Sequence, residues 1–385
     1  MSEIYYLDHC GSTPLNKNVK DFLKSDRVLD AFGNPSAVHH KRGEDSRQLV
    51  EDARSVTAAE FGVEPGQVFF TGGASEANNI IIQGFWFRFK DRGCRVVCSS
   101  IEHKSVLDAT LRVGELTNSQ SFLIPVDPRG ILDLERLRAV LKENPKSSPT
   151  LVSVMHTNNE IPVRQPVEKI AELCEEYGAY FHCDAVQGFI RSQISFKETN
   201  YGSVVVSPHK FYGPKGCGIL VVGKSATAPV FLPLSVGGEQ ESGVRPGTLN
   251  TWAIAGAGVA LTEHVSTRST LRDFLRSCDE TFISLMNVHV PNFKLTVPRC
   301  DDAPGIVNFY IEGWDAPSLL SKLKKTCINR GASCTGAGGE KFSHVPRALG
   351  LPLEIQANVM RASFGWGCNL QDIANAVHEI SVAVK

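Results

Sequence analysis

Short runs of valine, isoleucine, leucine and phenylalanine recur along the chain at positions 96–98, 122–125, 151–155, 180–183, 203–206 and 218–222. Each run is too short for a helix, and the β-branched content predicts buried strands. Between several of them, at 134–143 and 167–177, apolar residues return every three to four positions. That spacing predicts amphipathic helices. Strands alternating with helices predict an α/β fold with a mainly parallel sheet covered by helices. The pattern turns strongly helical from 253 to 285, then gives a strand at 308–311, a helix at 318–325 and a last helix from Leu370. This second region predicts a smaller α+β domain packed on the larger one. We place the boundaries at 15–257 for the large domain and at 1–14 with 258–385 for the small one.

Composition narrows the function classes. Hydrophobic residues make up 42% of the chain and charged residues 21%, which suits a globular enzyme with an ample core. A net charge of −1 offers no basic field to a nucleic acid or a membrane surface. With no 18-residue apolar run and no charged-then-apolar leader, the expected location is cytoplasmic. The eleven cysteines are odd in number and form no Cys-x-x-Cys pair, so free thiols in a reducing compartment are expected, and no metal site.

The most informative stretch is Ser207-Pro208-His209-Lys210-Phe211-Tyr212-Gly213, which sets a lysine between an apolar strand and a glycine-rich turn. A hydroxyl and an imidazole stand just ahead of the amine. Upstream, Asp184 ends the apolar run of Tyr180-Phe181-His182-Cys183, where ligands of parallel sheets bind. Alone, Asp184 reads equally well as a helix cap. Earlier still, Phe70-Thr71-Gly72-Gly73-Ala74-Ser75 runs from a strand through a glycine turn into a helix. The N–H groups of Ala74 and Ser75 would form an anion site there. It is neither a Walker A loop nor a dinucleotide fingerprint. An amine for a Schiff base, a carboxylate for a pyridine nitrogen and a phosphate cradle together point to pyridoxal 5'-phosphate (PLP).

With these motifs the chain resembles the class V, fold-type I PLP enzymes, specifically the cysteine desulfurase and selenocysteine lyase family. The resemblance rests on Phe32-Gly33-Asn34-Pro35-Ser36, the segment from Thr71 to Asn79, Glu102-His103, Asn158-Asn159-Glu160-Ile161, Asp184 to Gln187, Ser207 to Gly213 and Arg245-Pro246-Gly247-Thr248. It implies a seven-stranded sheet in the large domain and a homodimer. It also implies that Lys210 carries the cofactor, Asp184 pairs with the pyridine nitrogen, and His103 stacks on the ring and moves protons. Gln187 and Asn158 would lie near the phenolic oxygen, with Asn158 also within reach of substrate. Ala74, Ser75, Ser207 and His209 would bind the phosphate, joined by Thr248 from the opposite subunit.

Two further residues set the chemistry. Arg361 resembles the family's substrate-carboxylate arginine, and a guanidinium fork matches a carboxylate in bidentate fashion. Cys334 sits in Gly331-Ala332-Ser333-Cys334-Thr335-Gly336-Ala337-Gly338-Gly339, whose glycines predict an exposed loop. Such a loop can carry a thiolate to bound substrate, unlike a buried cysteine. The implied reaction turns L-cysteine into L-alanine, with sulfur held as a persulfide on Cys334 before a protein or small thiol collects it. L-selenocysteine is the alternative substrate, and a β-eliminating lyase or a non-catalytic homologue are the remaining readings. Two departures stand out: Gly11-Ser12-Thr13-Pro14 replaces the family's small-Thr-Thr-Pro, and Trp366 stands where an arginine is customary.

Overall fold

The computed structural model describes residues 4–116, 119–144, 148–223, 231–331 and 342–385. Its strands, in chain order, are β1 Tyr5–Tyr6, β2 Val68–Thr71, β3 Cys94–Ser99, β4 Ser119–Ile124, β5 Thr150–Ser153, β6 Tyr180–Asp184, β7 Ser203–Val206, β8 Gly218–Val222, β9 Phe293–Leu295, β10 Ile306–Ile311, β11 Thr326–Cys327 and β12 Met360–Ser363. Seven form one sheet in the order β2-β8-β7-β6-β5-β3-β4. From β7 to β4 every pair is parallel, while β8 is antiparallel to both its neighbours.

The apolar runs form these strands because both faces of the sheet are covered. Val97, Val152, Cys183 and Val204 join one buried cluster, while their chain neighbours Val96, Leu151 and Val205 join another on the opposite side. That is the period of two expected of a strand, and double burial explains why the runs read as continuous rather than alternating. The α/β fold with a mainly parallel seven-stranded sheet is therefore as expected. Helices fill the connections with local stop signals: Asp133 caps Leu134–Lys142, and Val167–Tyr177 ends on Gly178 at φ +67°, a left-handed position that favours glycine.

Beyond the sheet, Thr251–His289 forms one 39-residue helix that packs against Lys41–Phe61 and the last helix, Leu370–Ala383. A Cβ on Gly258 would lie 2.9 Å from the Ala53 Cα, so the two long helices approach closely only because this residue is glycine. The boundary expected at 257–258 falls inside the long helix. An antiparallel sheet β12-β10-β9 and a parallel pair β1-β11 complete the C-terminal region. No described helix is long and apolar enough to cross a membrane.

The helix expected over 318–325 instead spans Ala316–Lys322. Asp315 caps its start by accepting from the Ser318 N–H, with Pro317 in the first turn. Its end is set from outside. The Glu379 carboxylate accepts from the backbone N–H groups of Lys324, Lys325 and Thr326 and from the Thr326 hydroxyl, at 2.7–3.1 Å. These bonds straighten the chain into β11. Burial pushes the Glu379 pKa up, but these hydrogen bonds outweigh it and hold the group below the usual carboxyl value. A depressed folded-state pKa adds stability that is present above the unfolded value and lost as pH falls through the folded one. Glu379→Gln should therefore lower stability by about 1 kcal/mol in urea unfolding at pH 7. The difference from wild type should fade below roughly pH 4; a difference constant from pH 7 to pH 3 would assign the effect to something other than this carboxylate.

Candidate active site

Parallel strands deliver their C-terminal ends to one edge of the sheet, and a cavity of about 670 Å3 opens there. β2 contributes the turn Gly72-Gly73 and the helix Ala74–Phe89, β6 contributes Asp184, and β7 contributes Ser207, His209 and Lys210. Ala74 and Ser75 line the cavity in the first turn of that helix, where N–H groups lack intrahelical partners. The turn sits tightly on β8: a Cβ on Gly218 would lie 2.4 Å from the Gly73 carbonyl carbon. Glu76 accepts from the Gly72 N–H and pairs with the Arg245 Nε at 3.1 Å, which offsets its charge beside an anion site.

The Lys210 Nζ donates to the carbonyl oxygens of Cys10 at 2.6 Å and Gly11 at 2.7 Å. Two residues on, Tyr212 holds φ +67°, an uncommon conformation for a bulky side chain. It is fixed from both ends. Its N–H donates to the Thr13 hydroxyl at 2.9 Å, and its phenolic oxygen accepts from the Trp366 N–H at 2.7 Å. Burial, then the positive charges of Lys210 and Lys215, lower the His209 pKa to about 4. His209 is thus a neutral imidazole at pH 7, able to donate one N–H.

Asp184 is 5% exposed. Its Oδ1 accepts from the Val186 N–H at 3.0 Å and its Oδ2 from the Asn78 amide at 2.8 Å. His103 also lines the cavity, and it caps the helix Lys104–Gly114. Its Nδ1 faces the Ser105 N–H at 3.1 Å and the Ser105 hydroxyl at 2.8 Å. The Gln187 Nε2 donates to the Cys10 carbonyl, while its Oε1 accepts from Arg191 at 3.0 Å.

Arg361, on β12, reaches the same cavity although its side chain is 1% exposed. Its Nη2 is paired with the Asp8 carboxylate and its Nη1 donates to the Asn159 carbonyl at 2.7 Å. Trp366 turns away from the cavity and stacks on Phe274, with ring centroids 5.2 Å apart.

Three expected residues do not appear in the cavity lining. The Asn158 side chain does not line the cavity, and the expected direct contact with ligand is not made from this arrangement. Its Oδ1 accepts from the N–H groups of Glu160 and Ile161, and its amide donates to the Ile101 carbonyl, so it builds the turn that presents Asn159. Thr248 is exposed and outside the cavity lining. Cys334 lies outside the described residues. The chain on either side is anchored at the site: Asn329 exchanges backbone hydrogen bonds with Arg361, and the His344 Nε2 donates to the Glu102 carbonyl at 2.9 Å.

Sequence reasoning passed over Cys10, Gly11, Asp8, Asn159, Lys215 and Asn78 as site residues. Asn78 and Asn159 stand inside the motifs named above, but nothing in a linear pattern says which asparagine of a pair turns inward.

The arrangement fits PLP on its own geometry. A helix N-terminus, a serine and a neutral imidazole gather at one part of the cavity, and a buried carboxylate and an amine line the rest. Comparison with known proteins agrees. The Aminotransferase class-V family model matches residues 5–375. The cysteine desulfurase IscS of Dictyoglomus turgidum is 32% identical over 97% of this chain and 92% of its own length, and that of Rickettsia bellii 33% over 97% and 89%. Among solved structures, the NifS-like protein of Rickettsia africae superposes with a TM-score of 0.86 at 27% identity over 99% of each chain. SspA in complex with cysteine superposes at 0.79, with 30% identity over 94% of this chain and 98% of its own. The chain belongs to the class V aminotransferase family, among its PLP-dependent cysteine desulfurases.

Proposed function

We propose that this enzyme takes L-cysteine, releases L-alanine and passes the sulfur to Cys334 as a persulfide. The observation that carries the reading is the convergence of the Lys210 amine, the Asp184 carboxylate and the Arg361 guanidinium on one cavity beside a helix N-terminus. The SspA complex with cysteine supports the choice of substrate. When bound, PLP supplies an electrophilic carbon for an amine and a ring that accepts electrons from the substrate's Cα.

The chain's own residues would divide the work as follows. Ala74, Ser75, Ser207 and His209 hold the phosphate. Asp184, which accepts from the Val186 N–H and the Asn78 amide, would face the ring nitrogen, and His103 would lie against the ring. Lys210 is the amine displaced by substrate and then the base for the Cα proton, with the Cys10 and Gly11 carbonyls marking its resting position. Arg361 receives the α-carboxylate through the second hydrogens of Nη1 and Nη2, which its bonds to Asp8 and Asn159 leave over. Gln187 orients the phenolic oxygen, and Asn158 acts by holding the Asn159 turn. The Cys334 thiolate then attacks the substrate sulfur. An S–S bond forms as the Cβ–S bond breaks, and that bond's electron pair stays with carbon, which takes a proton on the way to alanine.

A symmetric homodimer fits this reading, since an exposed Thr248 is free to reach a second subunit's phosphate site. Cytoplasmic placement fits the ten described cysteines, all free thiols, and the acceptor would be another protein or a small thiol. The domain division at 15–257 belongs to the same proposal, with the long helix shared across it.

Lys210→Ala should leave a folded protein that binds PLP without a borohydride-reducible link and releases no alanine. Visible absorbance, borohydride reduction and mass spectrometry check this; a reducible link with normal turnover would remove Lys210 from its role.

Cys334→Ala should keep the PLP absorbance and still bind cysteine through Arg361. Persulfide and cysteine-dependent alanine should fall by at least a hundredfold, the order of effect expected when a nucleophile is removed. Selenocysteine turnover should suffer less, because selenolate leaves more easily. Single-turnover mass spectrometry reads both, and wild-type desulfuration by the variant would favour a β-eliminating lyase instead.

A further inference from the structure

Behind the cavity, six polar side chains form one connected hydrogen-bond chain. The two hydrogens of the Asn78 amide go to the Asp184 Oδ2 at 2.8 Å and the Ser105 Oγ at 2.9 Å. The Asn78 Oδ1 meets the His182 Nε2 at 3.0 Å, and the His182 Nδ1 meets the Ser203 Oγ at 2.8 Å. Ser105 passes the chain on to the His103 Nδ1. Asn78, His182 and Ser203 are fully buried, and none of the three lines the cavity.

The direction of every bond follows from chemistry. The Asp184 Oδ2 accepts from the amide nitrogen, so the amide oxygen faces His182. That oxygen requires an N–H on the His182 Nε2. Burial lowers the His182 pKa to about 3, so the ring is neutral and its Nδ1 is bare, ready to accept from the Ser203 hydroxyl. On the other side, the Ser105 hydroxyl accepts from Asn78 and has its own proton left for the His103 Nδ1. The backbone N–H of Ser105 points to the same nitrogen, so the His103 Nδ1 carries no proton and its ring proton sits on Nε2.

We propose that Asn78 is the positioning residue that couples Asp184 to His103, the two groups set against the cofactor ring, and that buried His182 fixes its polarity. A single amide donates to the carboxylate and, through Ser105, sets the imidazole tautomer at the same time. A reversed amide would turn an oxygen on Asp184 and an NH2 on the His182 N–H, so the two contacts hold one orientation together. The proposal rests on PLP lying between Asp184 and His103.

The test uses the PLP-loaded enzyme with 15N-labelled histidine. In wild type, the His103 ring, identified by its loss in His103→Gln, should show a bare Nδ1 and a protonated Nε2. Asn78→Ala should shift those resonances and speed PLP release on the order of tenfold, the scale for a buried carboxylate that loses one donor. Asn78→Asp is the sharper variant because it keeps the size. The titratable groups linked to the position are Asp184 and His182 on β6 and, through Ser105, His103; Glu102 and Cys183 interact with Asp184 by charge. Two facing carboxylates share a proton at low pH and repel when both ionise. PLP retention in Asn78→Asp should therefore fall as pH rises, a limb that the untitratable wild-type amide does not add. A role in packing alone predicts that Asp, near in volume to Asn, outperforms Ala at every pH. That result overturns the proposal, as does a proton on Nδ1 in wild type or unchanged PLP release in Asn78→Ala. Should Asn78→Ala not fold, the pH limb of Asn78→Asp and the wild-type tautomer decide. A wild type that binds no PLP would instead count against the cofactor reading itself.

Discussion

Asp184 sets a carboxyl group at a place where 5% of the residue meets solvent, and much of the surrounding structure answers its need for hydrogen-bond donors. An ionised carboxylate out of water is costly unless donors replace its hydration. One donor comes from its own strand end, the Val186 N–H, and costs nothing beyond the turn that follows β6. The other must come from the helix Ala74–Phe89, whose Asn78 lies one turn in from the phosphate-side glycines. The same helix therefore serves the proposed phosphate contact with its first N–H groups and the carboxylate with its second turn. Shifting it to improve one contact would spoil the other. This ties Gly218 on β8 to the site as well, since the close approach there sets where the helix begins.

The N-terminal segment closes the opposite wall by joining regions far apart in sequence. β1 pairs with β11, the Leu7 carbonyl accepts from the Ser363 N–H, and the Thr13 hydroxyl donates to the His209 carbonyl. Within that span, Asp8 holds Arg361 and the Cys10 and Gly11 carbonyls hold Lys210. A dozen residues thus set the spacing between the amine, on the turn after β7, and the guanidinium, on β12 of another sheet. The rigid fork of an arginine gains from such bracing, because the bonds to Asp8 and Asn159 freeze its long side chain before any ligand arrives.

Much of this was legible in the chain because it is local. Continuous β-branched runs survive as strands since both faces of the sheet are covered, and Lys210, Asp184 and the Gly72-Gly73 turn sit at strand ends, where topology rather than detail sets position. What sequence could not give depends on which way a side chain turns. Asn158 and Asn159 are neighbours, yet a turn needs one of them as its internal acceptor and leaves the other at the cavity. The helix at 316–322 ends early because of Glu379, more than fifty residues away, and no local pattern carries that information. Trp366, which departs from the family pattern, is explained by Phe274 and Tyr212, again from distant segments.

The charges left around the cavity are mostly matched before a ligand binds. Glu76 is set against Arg245 and Asp8 against Arg361, while His209 and His182 are held neutral by burial. Glu102, behind His103, is also pushed toward neutrality: burial raises its pKa to about 8, and the charge of Asp184 adds to the effect. Its hydrogen bonds from the Ser99 hydroxyl and the Met155 N–H work against that rise and retain it as a structural brace beside β5. Two buried carboxyl groups on the same side of the sheet thus differ in their partners: Asp184 accepts from the Val186 N–H and an amide of a neighbouring helix, Glu102 from the Ser99 hydroxyl and the Met155 N–H.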